Sequence, residues 1–226
     1  MFLNRKKIVF VVIFAVLSLL AYKINFSPLL GTQNQSFTVF QFFAPATGFF
    51  LGPFLGAASV FLSQVTAFVL FGRAFSLFGI ARLVPMLLAA FYFGTRKKRL
   101  VAVVPLACMA LFVLHPVGRQ AWFYSLYWLI PIAATLFKNR LFIKSLGSTF
   151  TAHAVGSVAF LYLIPTTPAL WVALIPIVFM ERMLFAAGIS ASFVLFNTVL
   201  SWVESRIPAH IVNVDPRYVV RLSAIR

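Results

Sequence analysis

Acidic residues, and charged residues in general, are scarce in this sequence. Only three of its 226 residues are Asp or Glu, 10% are charged and 62% are hydrophobic. An ordinary soluble domain carries about 25% charged and about 45 to 50% apolar residues. The composition therefore argues against a soluble domain and predicts an all-α protein that folds in lipid. A hydrocarbon core of roughly 30 Å needs about 20 apolar residues per helix, so this length accommodates about six to eight spans.

Cysteine and the usual catalytic motifs are equally scarce. Cys108 is the single cysteine, which leaves neither an internal disulfide nor a cysteine metal cluster. His115, His153 and His210 lie far apart in the sequence, without the spacing of metal ligands. Neither a nucleophile elbow nor a phosphate-binding loop occurs. We therefore expect no catalytic residues, no metal and no cofactor, so any nucleotide-driven step needs another subunit.

Positive charge, in contrast, is abundant: 19 Lys and Arg residues give a formal net charge of +16. In a soluble protein this charge would indicate nucleic-acid binding. Here each basic run adjoins an apolar segment, where charge retained on the cytoplasmic side of a membrane is expected. We therefore predict a plasma-membrane protein that contacts lipid and has no nucleic-acid partner. The basic positions are 5–7, 96–99, 138, 140, 144 and, in the tail, Arg206, Arg217, Arg221 and Arg226.

The apolar stretches predict a polytopic transmembrane helical bundle with both termini in the cytoplasm. The first helix follows three basic residues, and we expect it to remain uncleaved because no clear signal-peptidase site follows it. A stretch at 37–72 is too long for one span, and Gly52-Pro53 near its centre predicts a tight break between two helices. The predicted helices are 8–22, 37–51, 53–71, 80–94, 100–114, 122–137, 149–164 and 170–203.

The number of crossings stays open between six and eight. Eight crossings place every basic cluster inside, with 23–38 as an external loop and 138–144 as a cytoplasmic one. Six would follow if 37–51 were re-entrant and another short segment did not span. The last helix is long enough to be bent at Pro176 or to begin as a half-helix. In either case residues 1–226 form a single integral membrane domain with a short cytoplasmic tail at about 207–226.

Small residues recur at a spacing of four around the Gly-Pro break, at Gly48, Gly52 and Gly56. This spacing lets helix backbones approach closely inside a membrane, where the hydrophobic effect does not drive helices together. We interpret the three glycines as helix-packing positions. A moving contact with a partner protein is the alternative.

Glu181 is the acidic residue that lies within an apolar stretch, eleven residues after Leu170. A charge at the centre of a bilayer costs roughly 2.5 to 3.5 kcal/mol, so such residues face a partner or a cavity. Two interpretations stay open: a structural ion pair between helices, for instance with Arg82, and a contact with a ligand. Arg182 is adjacent, but neighbours in a helix point about 100° apart and need not bond to each other.

Several polar and aromatic residues lie near the predicted outer face. The basic ones would attract an anionic solute, since arginine matches carboxylate and phosphate geometry, or they contact lipid headgroups and cap helices. The aromatic ones form an interfacial belt or stack on a flat ligand. The basic group is Arg73, Arg82, His115 and Arg119, and the aromatic group is Trp122, Tyr124, Tyr127 and Trp128. Within the spans, Gln41, Gln64, His153 and Asn197 are expected to make interhelical hydrogen bonds.

The segment FQFFAPATGFFLGPFLGA, from Phe40 to Ala57, resembles the second and third helices of the substrate-binding (S) components of energy-coupling factor (ECF) transporters. Those helices often read as an apolar helix with proline, then a Gly-Pro turn, then Gly-Ala. The following ARLVPMLLAA, at 81–90, looks like the next helix of that family. The resemblance covers about residues 37–95, and the chain length, basic character and missing ATP site agree with it.

The resemblance implies a membrane uptake protein that captures a small solute, a vitamin-like micronutrient or precursor, from outside. A transmembrane coupling subunit and ATPase subunits would then drive its release inward. The alternatives are a membrane-embedded enzyme acting on lipid or peptide and a ligand-free membrane assembly factor. Ligand contacts would come from the first external loop and the outer ends of later helices. The candidate substrate-binding residues are Arg82, Arg119, Glu181, Trp122, Tyr124 and Gln35.

Overall fold

The computed structural model describes residues 5–28, 36–72, 75–137, 139–206 and 212–220. These residues form an all-α protein with one small sheet, which confirms the predicted class. The α-helices are α1 (Arg5–Ala21), α2 (Thr47–Leu51), α3 (Pro53–Leu70), α4 (Leu77–Ala81), α5 (Val84–Gly94), α6 (Lys98–Leu114), α7 (Pro116–Gln120), α8 (Ile130–Ala134), α9 (Leu141–Leu163) and α10 (Pro168–Arg206). Among these residues, 3₁₀ helices lie at Val39–Phe42, Ala44–Ala46, Trp122–Leu129 and Pro216–Tyr218.

The length and surface of the helices are those of a membrane protein. Within the described chain, four stretches are long and apolar enough to cross a membrane: Pro53–Leu70, Leu77–Gly94, Leu141–Leu163 and Pro168–Arg206. Shorter apolar helices lie at Lys7–Ala21, Val39–Leu51, Arg99–Leu114 and Trp122–Ala134. The outer surface carries large apolar side chains such as Phe54 and Leu70, which are 75% and 64% exposed. Such a surface is unfavourable in water and favourable against lipid tails.

Part of the predicted external loop at 23–38 is a β-hairpin. Strand β1 (Asn25–Pro28) pairs antiparallel with β2 (Ser36–Thr38). Asn25 faces Thr38 and Ser27 faces Phe37 in this pairing. Residues 29–35, which join the strands, lie outside the described residues. The hairpin follows α1 and leads directly into the first 3₁₀ turn, Val39–Phe42.

Gly52 and Pro53 break the chain where the sequence predicts a break. Gly52 has a φ of 87°, a left-handed conformation that glycine adopts without the strain a Cβ would bring. Pro53 begins α3, at a position where a backbone N–H would have no acceptor within the helix. Before the break, the predicted helix at 37–51 instead consists of two 3₁₀ turns and the short α2. Pro45 lies in the second turn and has no N–H to donate to a continuous helix.

Gly48 and Gly56 lie where the backbones of α2, α3 and α5 meet. A Cβ on Gly48 would clash with the carbonyl oxygen of Ala90 in α5. A Cβ on Gly56 would lie 2.6 Å from the Cα of Gly48, closer than side-chain carbons approach. Gly52 belongs to the turn between α2 and α3. The small residues at 48 and 56 thus permit a close approach of three helices, which stabilises packing in a membrane.

Two predicted helices are interrupted. The segment at 122–137 begins as the 3₁₀ helix Trp122–Leu129 and becomes α-helical only at α8. Its bulky aromatic side chains lose rotamer freedom in an α-helix, which weakens the preference for that conformation. The predicted helix at 80–94 begins earlier, at Leu77, and is divided between α4 and α5. The division lies just before Pro85, which has no N–H to donate to the carbonyl of Ala81 one turn earlier, so a continuous helix would lack this hydrogen bond.

Helix α9 begins eight residues earlier than the predicted start at residue 149. Lys144 therefore lies within a helix, and its prediction as a loop residue is wrong. Its Nζ lies 4.5 Å from the ring centroid of Phe93 and 5.3 Å from that of Phe49. Cation–π contacts and the long alkyl stem stabilise a lysine in such a position. Helix α9 packs against α5, α6, α8 and α10 and is the centre of the bundle.

Helix α10 is continuous over 39 residues and contains Pro176. The last predicted stretch therefore does not begin as a separate half-helix. At a rise of about 1.5 Å per residue, a helix of this size is roughly 58 Å long. This is about twice the thickness of a hydrocarbon core, so one end of α10 extends beyond the apolar layer.

The described part of the predicted tail packs back against the bundle, and we call residues 212–220 the C-terminal strap. The side chain of Asn197 in α10 donates to the Asp215 carbonyl at 2.8 Å and accepts from the Asp215 N–H at 2.8 Å. The Asn213 N–H donates to the Phe50 carbonyl at 3.0 Å. Arg217 donates to both carboxylate oxygens of Asp215, at 3.0 and 2.7 Å, and this pairing holds the pKa of Asp215 below its ordinary value. The strap therefore ties the end of α10 to the end of α2.

Candidate functional site

A cavity of about 480 Å³ lies between the β-hairpin, α3, the α4–α5 region, α9 and α10. This size lies within the range of about 300 to 1,000 Å³ that is typical of sites for small molecules. Aromatic side chains line much of its wall, among them Tyr22, Phe37, Phe68, Phe78, Phe160, Trp171 and Phe185. Its polar lining residues are Asn25, Ser36, Thr38, Gln41, Gln64, Ser76, Arg82, Tyr124, Thr149, His153, Ser157, Glu181 and Arg182.

The cavity lies at the end of the bundle that is remote from the basic residues at 96–99 and from Arg140 and Lys144. Its lining residues on α9 run from Thr149 to Phe160, five to sixteen residues beyond Lys144. This separation corresponds to roughly 8 to 24 Å along the helix axis. On α5 the lining residues, Pro85 to Ala89, belong to the first half of the helix, which ends near Arg96. The cavity and the basic clusters thus occupy opposite ends of the same helices.

Glu181 joins α10 to the β-hairpin. The hydroxyl of Ser27 donates to its Oε1 at 2.6 Å, and Arg182 Nη2 donates to its Oε2 at 3.4 Å. The second distance is long for an ion pair between neighbouring residues on one helix. The side chain of Glu181 is 17% exposed, so the carboxylate is largely removed from solvent. The carboxylate is therefore engaged more closely by Ser27 than by Arg182.

Arg182 lies almost completely buried in the cavity wall, at 4% exposure. Its guanidinium carbon is 5.0 Å from the ring centroid of Phe37 and 4.4 Å from that of Phe185. Its Nη1 reaches Thr149 Oγ1 only at 3.5 Å, and its Nε–H donates to none of the described residues. Arginine presents five N–H donors, so this buried side chain retains unused hydrogen-bonding capacity.

His153, in α9, is the centre of a group of hydrogen-bonded side chains. Trp128 Nε1 donates to its Nδ1 at 3.2 Å, and an indole N–H is only ever a donor. The Nδ1 atom therefore accepts, and the proton of the neutral ring resides on Nε2. That Nε2 lies 2.9 Å from Tyr124 Oη and 3.2 Å from Ser157 Oγ. Neither hydroxyl can donate to a protonated Nε2, and Tyr124 and Ser157 are also hydrogen-bonded to each other, so one hydroxyl proton of this pair remains available to another acceptor.

Two further contacts order the rim between the hairpin and the α4–α5 region. Gln64 on α3 donates through Nε2 to the Leu83 carbonyl at 2.7 Å, in the break between α4 and α5. Arg82 donates through Nη2 to the Ser36 carbonyl at 3.1 Å, which connects this break to β2. These bonds connect the break between α4 and α5 to α3 and to the hairpin. They also hold one nitrogen of Arg82 at the wall of the cavity.

The structure brings together three of the predicted substrate-binding residues and separates the others. Arg82, Tyr124 and Glu181 all line the cavity. Arg119 is exposed on α7 and Trp122 is 53% exposed, and neither lines it. Gln35 lies outside the described residues, as does Arg73. Among the other outer residues, His115 accepts a hydrogen bond from the Val117 N–H and caps α7.

Sequence reasoning gave little weight to Arg182 and to the polar stripe on α9. Thr149, His153 and Ser157 follow one another at a spacing of four, which places them on one face of a helix. A run of polar residues at this spacing in an apolar helix is the signal that would have identified this wall. The sequence identifies Arg182 only as a neighbour of Glu181, because Arg182 is buried against Phe37 of the distant hairpin.

The charged residues of the lining give the cavity a defined polarity. Glu181 contributes one negative charge, and Arg82 and Arg182 contribute one positive charge each. Groups of three or more His, Cys, Asp and Glu side chains that would hold a metal ion do not occur in the part of the chain that the structure describes.

Comparisons with protein-family models, with curated proteins and with solved structures gave no match.

Proposed function

We propose that this protein is a multi-pass plasma-membrane protein that captures a small solute from outside, as the substrate-binding component of an ECF-type uptake transporter. The observation that carries the proposal is the 480 Å³ cavity, which has aromatic walls and polar groups converging from α3, α9 and α10. Ligand sites for small molecules are mostly apolar cavities with a few placed polar groups, and helical bundles often form them between helices.

The distribution of charge supports an outward-facing site. Basic clusters at 96–99 and 138–144 are expected to stay on the cytoplasmic side. The cavity lies toward the opposite ends of α5 and α9, so this orientation places it near the outer surface. The four long and four shorter apolar helices fit eight crossings under the same rule. A protein of this orientation would meet its solute from the external medium.

The protonation of His153 supports binding over nucleophilic catalysis. In a serine–histidine pair, the imidazole nitrogen next to the hydroxyl must be unprotonated to accept its proton. Here Trp128 donates to Nδ1, which leaves the proton on the Nε2 that faces Ser157. This arrangement leaves a hydroxyl donor of the Tyr124–Ser157 pair for a ligand, and it does not activate Ser157.

The coupling partners follow from the resemblance of the segment at 37–95 to S components. In that arrangement a transmembrane coupling subunit and ATPase subunits bind this protein and drive release of the solute inward. Co-purification of such subunits with the tagged protein from its native membrane would support the ECF assignment. Purification without them, from cells that retain solute uptake, would indicate solitary transport.

Ligand binding is tested by native mass spectrometry of protein extracted in mild detergent. A bound small organic molecule is expected, in keeping with the size of the cavity. Addition of that molecule at 100 times its Kd should stabilise the fold by about 2.7 kcal/mol. A protein that carries no solute and gains no stability with any solute present in the growth medium would contradict the proposal and favour an assembly factor.

A further inference from the structure

Arg182 is a buried cation whose hydrogen-bonding capacity the protein itself leaves partly unused. Its Nε–H donates to none of the described residues. Its hydrogen bonds to Glu181 and Thr149 are long, at 3.4 and 3.5 Å. A buried donor without a partner is unfavourable, and a charged one more so. Arg182 lines the cavity, so a ligand there is in position to supply the missing acceptor.

Glu181 does not remove this need. The two residues are neighbours on α10 and point about 100° apart, which explains why only one long contact joins them. The other carboxylate oxygen of Glu181 accepts the much shorter hydrogen bond from Ser27. Glu181 therefore balances one charge of the cavity while leaving the guanidinium of Arg182 incompletely paired.

The charged residues that line the cavity indicate which ligand charge would complement it. Besides Glu181, the acidic residues of the chain are Glu204 and Asp215, and neither lines the cavity. Arg82 and Arg182 both line it, and His153 is held as its neutral form by Trp128. The lining thus carries one positive charge in excess. In a site of low dielectric constant, a ligand with one negative charge is the complement that leaves no charge unbalanced.

The hydroxyl groups around His153 define the other end of the ligand. Tyr124 and Ser157, which are hydrogen-bonded to each other, together keep one hydroxyl proton available to an acceptor, as described above. Thr149, which contacts Arg182, precedes His153 by one turn of α9, or roughly 6 Å along the axis. The anion-binding and hydroxyl-binding ends are therefore separated by about the width of one six-membered ring. Aromatic walls between them suit a ring in the ligand.

We infer that the cavity binds a ring-containing monoanion, with its carboxylate against Arg182 and an uncharged hydrogen-bond acceptor against Tyr124 and Ser157. This inference rests on the proposed capture of a small solute and adds the chemical class of that solute. Carboxylate geometry matches the guanidinium fork, and the cation–π contact with Phe185, at 4.4 Å, helps to hold that fork at the wall of the cavity.

The test uses three matched probes on the purified full-length protein. These are 4-hydroxybenzoate with one negative charge, its neutral carboxamide, and benzene-1,4-dicarboxylate with two charges. Binding is measured from the thermal unfolding midpoint as a function of probe concentration. The monoanion is expected to bind between about 10-fold and 100-fold more tightly than the carboxamide, which lacks the charge. The dianion is expected to bind more weakly than the monoanion.

Charge variants of the wall test the assignment of the anion to Arg182. Arg182→Gln should reduce monoanion affinity to that of the carboxamide, and Arg82→Gln should reduce it in the same direction. Glu181→Gln adds a second excess positive charge and should reverse the preference, so that the dianion binds more tightly than the monoanion. Arg119→Gln is the matched control, because it removes one exposed arginine outside the cavity and should change neither affinity. If Arg182→Gln does not fold, the Glu181→Gln reversal decides the question.

Each outcome bears on the inference separately from the proposed function. Equal binding of the acid and the carboxamide, or a neutral or cationic co-purified solute, would overturn the monoanion and leave solute capture standing. A co-purified ring monoanion would support it even if none of the three probes binds. Absence of any bound solute together with no response to any probe would overturn the inference and the proposed function together.

Discussion

The Ser27 hydroxyl donates a 2.6 Å hydrogen bond to Oε1 of Glu181, joining two residues that are 154 positions apart in the sequence. Ser27 belongs to the β-hairpin, and Glu181 lies near the middle of α10. The bond gives the largely buried carboxylate of Glu181 a neutral donor. The same carboxylate therefore holds the hairpin at the cavity and balances one positive charge of the cavity lining.

Ser27→Ala should destabilise the docked hairpin, because it removes the shortest hydrogen bond of a carboxylate that is only 17% exposed. Hydrogen bonds to charged groups contribute about 1.5 to 3 kcal/mol, and a loss in this range is expected as a lower thermal unfolding midpoint. Ser205→Ala is the matched control, since Ser205 is exposed and donates only to the Trp202 carbonyl of its own helix. An equal effect of the two substitutions would show that the contact to Glu181 contributes nothing specific.

Gly48→Ala and Gly156→Ala should change stability in opposite directions. A Cβ at Gly48 clashes with the Ala90 carbonyl, and neither backbone can yield without separating α2 from α5. A Cβ at Gly156 would meet only Pro85 Cγ at 3.7 Å, an ordinary contact. Alanine at that position gains about 0.5 to 1 kcal/mol from helix propensity, whereas the clash at Gly48 should cost about 1 to 3 kcal/mol. Chemical denaturation of the two purified variants measures both signs, and similar stability of the two would refute the close approach.

The sequence predicts the apolar segments of this fold well, because lipid imposes a length and composition that can be counted. The eight predicted stretches correspond to four long and four shorter apolar helices. The Gly52-Pro53 break was equally predictable, since the turn needs a residue that tolerates positive φ. The 3₁₀ helix Trp122–Leu129 and the start of α9 at Leu141 differ from the prediction. The basic Lys144 was expected outside the helix, and its place within α9 is stabilised by a contact with the ring of Phe93, which is remote in the sequence.

The candidate site was predictable only in part, for a related reason. Glu181 is recognisable because a charge in an apolar stretch is costly wherever it points. Arg182 gains its significance from burial between Phe37 and Phe185, and Phe37 is distant in the sequence. His153 depends likewise on Trp128, whose donor fixes the position of the ring proton. Such contacts between remote segments leave no local pattern in the sequence.

The C-terminal strap should lose stability at low pH. Hydrogen bonds from Arg217 hold the pKa of Asp215 below its ordinary value of 3.8. A carboxyl whose folded pKa is depressed stabilises the fold above the unfolded value and loses this contribution as the pH falls through the folded value. The thermal midpoint of the natural protein should therefore exceed that of Asp215→Asn at pH 6, and the difference should shrink below about pH 4.

Arg217→Gln removes the partner of the same carboxylate and serves as the companion variant, with the same pH dependence expected. Hydrogen exchange of residues 212–220, followed by mass spectrometry, shows whether the change is local to the strap. A difference between the natural protein and Asp215→Asn that stays constant from pH 6 to pH 3 would contradict the role of this pair.

The proposed orientation predicts which end of α10 faces the external medium. Thr167 and Ser205 lie at opposite ends of this helix, and both are exposed. Single cysteines at these positions replace small hydroxyl residues, and the native Cys108 is buried and adds little background labelling. In intact cells a membrane-impermeant maleimide should label Thr167→Cys, near the cavity, and should label Ser205→Cys only after permeabilisation. Ser205 lies on the side of the C-terminal strap and the basic clusters, so the reverse pattern would place the cavity on the cytoplasmic side. Solute capture from outside would then have no route to Arg182.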